Sequence, residues 1–194
     1  MNGFTMRTQL TRTSLLAAAA VAAALAFSGC AGGAPEAGSG AAASFAEPDV
    51  EFAQMMIPHH EQAVEMSDEI LAKDGVDQAV VDLATQIKAA QEPEIKQLGS
   101  WLDAWRADRG MAGMDHGTDG MMSDDDMAAL ADAQGAEAGE LFLEQMVVHH
   151  EGAIAMAKTQ LETGKNAEAK AMAQAIVTSQ ADEIQVMQDL LAGR

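Results

Sequence analysis

Residues 52–66 and 142–156 are two copies of one pattern, and this duplication restricts the fold more than any other feature of the chain. Phe52, Met56, His59, His60, Glu61, Ala63 and Met66 recur ninety positions later as Phe142, Met146, His149, His150, Glu151, Ala153 and Met156. At a helical 100° per residue, every repeated residue except the Glu falls within an arc of roughly 120°. Glu61 points almost the opposite way. The pattern predicts two helices, each with paired imidazoles and thioethers on its inward stripe.

The repeat extends beyond these stretches. Ile87, Gln91, Glu94, Ile95 and Leu102 match Ile176, Gln180, Glu183, Ile184 and Leu191 at an offset of 89. The repeated unit is therefore a whole helical hairpin. Helix-period patterning and stop signals at Asp74-Gly75 and Gly164 predict helices over about 49–73, 76–108, 136–162 and 166–191. Ser123 followed by three Asp predicts a short extra helix to about residue 133. Pro58 and Pro93 fall inside helices, so a bend is expected beside the first histidine pair. The second-helix stripe is read as Leu83, Ile87, Ala90, Glu94, Leu98, Trp101 and Trp105. The last-helix stripe is read as Met172, Ile176, Ser179, Glu183, Met187 and Leu190. One hairpin leaves its apolar stripe in water, whereas two packed face to face make an all-α four-helix bundle with a pseudo-two-fold axis.

The N-terminus reads as an export signal. Arg7 and Arg12 precede an apolar run from Leu15 to Phe27, which ends in Phe27-Ser-Gly-Cys30. This resembles a bacterial lipobox, so residues 1–29 are read as a lipoprotein signal and Cys30 as the lipidated residue. Plain secretion and a retained anchor are the alternatives. Cys30 is the sole Cys, so no intrachain disulfide forms. Residues 30–47, mostly Gly, Ala, Ser and Pro, read as a tether, and the folded domain as 48–194: hairpin 48–109, linker 110–123, hairpin 124–194. Arg7 and Arg12 are the only charges before Cys30, leaving 9 bases against 30 acids in the remainder. Such a surface repels nucleic acid and attracts cations, although solubility alone also accounts for it.

Imidazole and thioether are borderline and soft donors that suit copper and silver better than magnesium or calcium. Met56 shares a helix face with His59 and His60, so His59, His60, Met56 and Met66, with His149, His150, Met146 and Met156, are candidate ligands. The competing reading is a structural histidine pair with Met as gap filler. Glu94 and Glu183, midway along apolar stripes, need partners. The nearest are the histidines, which the carboxylates either orient from behind or join as direct ligands. The linker offers Met111, Met114, His116, Met121 and Met122 within twelve residues. It resembles the Met-rich loops of exported copper-handling proteins; a lid packed on the bundle is the alternative. No Glu-x-x-His occurs in the chain, which argues against a di-iron oxidase.

The repeated Met-x-x-His-His-Glu-x-Ala-x-x-Met motif resembles the domain-of-unknown-function family 305 over about residues 49–192. The resemblance implies an exported ferritin-like helical bundle, and some members, the CopM-like proteins, bind copper and silver. By resemblance the matching positions are Met56, His59, His60, Glu61 and Met66, with Met146, His149, His150, Glu151 and Met156. The resulting expectation is a membrane-attached copper(I)- or silver(I)-binding protein in the cell envelope, on the outer face of the cytoplasmic membrane or in the periplasm, that sequesters or delivers metal. An envelope interaction module with a structural His–Glu core is the alternative.

Overall fold

Helix α1 (Glu47–Leu71) opens the folded domain and α2 (Gln78–Trp105) returns along it; a second hairpin repeats the arrangement with α4 (Gly135–Thr163) and α5 (Ala167–Ala192). Between them lies α3 (Asp124–Asp132). This computed structural model describes residues 44–110 and 120–193. They lie within one compact unit and contain no strand.

Local chemistry sets the helix ends. Asp77, Ser123 and Asn166 are N-caps whose side chains accept the N–H groups of Ala79, Asp126 and Ala169. Each satisfies a donor that has no partner within its helix. Asp126 also reaches back to the Ser123 N–H, completing a capping box. At α1 the third residue, Asp49, accepts the Ala46 N–H at 2.7 Å. Both α1 and α2 continue through their internal prolines. The first helix begins at Glu47, and Phe45, within the expected tether, stacks on Trp105 with ring centroids 5.0 Å apart.

Helices α1 and α4 pack against each other at the centre, with α2 and α5 on their flanks. Two apolar clusters form. One joins the C-terminal half of α1 to the N-terminal half of α4, with Met66, Ile70, Phe142 and Met146. The other joins the N-terminal half of α1 to the C-terminal half of α4, with Phe52, Met56, Ala153 and Met156. The two central helices are therefore antiparallel. The histidine pairs fall between the clusters, where an axis relating the two hairpins must pass.

Asp49 ties the hairpins together. It is fully buried and accepts Gln160 Nε2 at 2.7 Å and the backbone N–H groups of Lys165 and Asn166 at 3.0 Å. Burial alone would raise its pKa, but hydrogen bonds from Gln160, Asn166, Ala46 and Lys165 outweigh it and hold the carboxyl below 3.8.

The expected stripes need one correction. Ala90 and Ser179, equivalent in the repeat, are exposed, while their neighbours Gln91 and Gln180 are buried. Each helix turns its Gln inward one turn before its Glu.

Candidate metal centre

His59 meets its repeat partner His149 across the α1–α4 seam, with ring centroids 3.8 Å apart and planes tilted by 40°. Equivalent residues touch in this way only near a symmetry axis. His60 and His150 flank this contact, with centroids 6.5 Å and 6.4 Å from their neighbours His59 and His149. All four imidazoles are buried. Glu61 and Glu151 face solvent, as the helical period requires.

The outer histidine of each pair is held from behind. His60 Nε2–H donates to Glu94 Oε2 at 2.8 Å, and His150 Nε2–H to Glu183 Oε2 at 2.6 Å. Both bonds lie within a hairpin, so each repeat carries its own His–Glu pair. The carboxylates are not sealed in: their side chains are 24% and 21% exposed. A carboxylate accepts only, so the bonded nitrogen carries the proton and Nδ1 of the neutral ring keeps its lone pair. Nδ1 of His60 and Nδ1 of His150 are buried, with no hydrogen-bond partner among the described residues.

His149 supplies a second type of donor. Burial, then the neighbouring His59, His150 and His60, hold its pKa well below 6.5, and a hydrogen bond with the His59 backbone offsets this only in part. Neither ring nitrogen has a side-chain hydrogen-bond partner. His149 is therefore neutral at physiological pH, with a basic nitrogen open to a cation.

The thioethers divide between the two clusters, one from each repeat. Met56 and Met156 lie on one side of the histidine layer and Met66 and Met146 on the other. Among the described residues, no group of three or more His, Cys, Asp and Glu is arranged to hold a metal ion. A site here would draw on thioether sulfur together with imidazole nitrogen. Such a donor set fits a soft monovalent ion, which accepts few ligands, and does not fit magnesium or calcium.

The chain returning from the linker crosses the seam close to this layer. Gln62 donates from Nε2 to the Met122 carbonyl at 2.9 Å and accepts the Met122 N–H at 2.7 Å. Its repeat equivalent is Gly152, which leaves room for Gly120: a Cβ on Gly120 would lie 2.7 Å from the Val148 carbonyl oxygen and 2.8 Å from Gly152 Cα. Gly120 also has φ +79°, a region that other residues rarely adopt. Positions 62 and 152 thus hold one strap from opposite sides of the axis. Met121 and Met122 are half-buried, and Met122 packs on an apolar cluster, so this end of the linker is anchored. Met111, Met114, His116 and Cys30 lie outside the described residues, as do the signal segment 1–29 and most of the tether.

The sequence did not point to the tying role of Asp49 or to Gln62, and it showed Gln91 and Gln180 as matched positions without placing them inward. Gly152 in the middle of a helix was the one local sign of a close approach.

The fold and site define a class: a duplicated helical-hairpin bundle with a central histidine layer backed by carboxylates. The profile of the family described as domain of unknown function, DUF305, matches residues 49–191. The chain belongs to the DUF305 family. A DUF305 protein of Streptomyces coelicolor, described as secreted, is 35% identical, with a TM-score of 0.71 over 75% of this chain and 91% of that one. A DUF305 fragment from Deinococcus radiodurans is 28% identical, with a TM-score of 0.70 over 77% and 98%. CopM in its Cu(I)-bound form is 30% identical, with a TM-score of 0.63 over 75% and 96%. CopM has also been solved with Cu(II) and with silver. No curated protein matches. Among the described residues, no helix is long and apolar enough to cross a membrane.

Proposed function

We propose that this protein binds copper(I), and silver(I) in its place, through the imidazoles and thioethers of the central layer, as a carrier or store and not as an enzyme. The observation that carries the reading is the repeated carboxylate–imidazole pair. Glu94 and Glu183 occupy Nε2 of His60 and His150 and leave both Nδ1 atoms buried, with no partner among the described residues. Two equivalent unpartnered Nδ1 atoms, one in each repeat and beside a neutral His149, support a cation site in this layer. A carboxylate behind an imidazole fixes its tautomer and raises its basicity, as is usual in metal sites. The metal-bound CopM structures at about 30% identity support this choice of ion.

His59, His60, His149 and His150 are the nitrogen donors, and Met56, Met66, Met146 and Met156 supply sulfur. Glu94 and Glu183 orient the rings and stay outside the coordination sphere. Met111, Met114, His116, Met121 and Met122 form a second, linker-borne set of soft donors. The protein is exported and held at the membrane by a lipid on Cys30; the basic start, the apolar run and this lone Cys support that placement. A surface of net charge −19 suits a cation-binding role and rules against nucleic acid as partner.

Anaerobic copper(I) titration against a colorimetric chelator tests the reading. Binding should raise the melting temperature, since a ligand held by the native state alone stabilises it. Copper(I) that binds without any thermal stabilisation would place the metal outside the fold and return the histidines to a structural role.

A further inference from the structure

An open groove lies between the N-terminal half of α1 and the C-terminal half of α4. Glu51, Phe52, Met55, Met156, Gln160 and Thr163 are among its lining residues, and its volume is about 240 Å³. The internal repeat explains what this groove is. Moving each residue to its equivalent ninety positions away converts Glu51, Phe52, Met55, Met156, Gln160 and Thr163 into Leu141, Phe142, Gln145, Met66, Ile70 and Lys73. Those residues border the place where α3 sits. Lys73 Nζ donates to the Ala131 carbonyl at 2.7 Å, and Gln145 Nε2 to the Asp126 carbonyl at 3.0 Å. Leu130 of α3 is fully buried in the cluster containing Met66, Ile70 and Phe142, and Met127 packs against it. The molecule therefore has two equivalent grooves. It fills one with its own short amphipathic helix, and among the described residues nothing fills the other.

We propose that the open groove docks a short basic amphipathic helix of a partner protein. The filled groove shows the shape that fits: about two helical turns with a Leu-type anchor. Glu51 and the acidic charge of the whole chain select the partner. Helix α3 carries Asp124, Asp125, Asp126 and Asp132 and no base, and its groove offers it Lys73. The open groove has Thr163 in place of Lys73 and Glu51 in place of Leu141, and Ala155 and Thr159 in place of Glu65 and Glu69. It therefore lacks the base that meets α3 and keeps an acid of its own. Glu51 is the one charged residue among those lining it, and Glu47 is exposed one turn earlier. A second copy of this chain, with net charge −19, would be repelled, whereas a helix flanked by Lys and Arg is attracted.

The test uses the full chain in chelator, so it is independent of metal binding. A synthetic amphipathic peptide of about 14 residues, with Leu on one face and Lys on its flanks, is titrated while the methionine methyl signals are followed by NMR. The Met55 and Met156 methyls should shift, and Met55→Arg should weaken binding about tenfold or more, as expected for a filled anchor pocket. Glu51→Lys should weaken it about fivefold, whereas Glu140→Lys, outside the groove, should not. A peptide with Glu replacing Lys should not bind. Binding that is indifferent to Met55→Arg, equal binding of the acidic peptide, absence of binding, or self-association through the groove would each overturn the proposal.

Discussion

Removing Glu94 and Glu183 separates what the carboxylates do for the fold from what they do for the site. In the Glu94→Ala, Glu183→Ala variant, the buried Nε2–H groups of His60 and His150 lose their acceptors at 2.8 and 2.6 Å. A hydrogen bond to a charged group contributes about 1.5–3 kcal/mol. Because the carboxylates are 24% and 21% exposed, water screens them and the lower end applies, about 1.5 kcal/mol each. The pairs belong to different hairpins, so their losses should add to about 3 kcal/mol. For a folded part of this size, that corresponds to a fall in melting temperature of roughly 6–12 °C. Thermal denaturation followed by circular dichroism in chelator reads this directly. Copper(I) affinity should fall by about 10–100-fold, the usual effect of removing a group that orients a metal ligand. Glu94→Gln with Glu183→Gln keeps an acceptor at each position and should recover most of the stability but not all of the affinity. Unchanged melting together with copper affinity within twofold of wild type would refute the reasoning.

Asp49→Ala should cost about 3–5 kcal/mol, because it leaves buried backbone donors of Lys165 and Asn166 unpaired at the tie between the hairpins; denaturant unfolding measures it. Acidification should weaken the fold through His149. Its folded pKa lies well below 6.5, so below about pH 6.5 the unfolded chain takes up a proton that the native protein refuses. Stability should therefore decline as pH drops from 7.5 to 5, by at most about 1.4 kcal/mol per unit from this group, and unfolding midpoints across that range check it. Asp49, held below 3.8, stabilises above that value and loses its contribution only as pH falls through its own lower pKa. Cys30→Ser should move the mature protein from the membrane fraction to the soluble fraction; equal retention would exclude lipidation.

Much of the architecture was legible because its signals are local. Ser123 and the stops at Asp74-Gly75 and Gly164 lie within a few residues of the ends they set, so the helix limits were read to within about three residues. The duplicated motif placed the histidines inward, and the inward setting of Glu94 and Glu183 suggested histidine partners. What the sequence concealed depends on contacts between distant segments. Asp49 meets residues 111 to 117 positions away, and Gln62 meets Met122 sixty positions on. Neither polar residue differs in sequence from an ordinary exposed one. The partial exposure of the carboxylates was hidden as well, because helical period places a residue on a face but does not say how far that face is covered. That is also why Ala90 and Ser179 read as inward while Gln91 and Gln180 took the buried positions. The covered and open grooves became comparable only once α3 had a position.

Whether copper(I) sits among the imidazoles where the two repeats meet is read by X-ray absorption of the loaded protein. The linker set is first removed by replacing Met111, Met114, His116, Met121 and Met122, which leaves the central layer as the soft-donor site. This variant should still bind copper(I) and show the multiple-scattering signature of imidazole nitrogen alongside thioether sulfur. His59→Ala with His60→Ala should remove the imidazole contribution. Loss of all copper(I) on removing the linker donors, or a spectrum of sulfur alone, would contradict this placement of the metal.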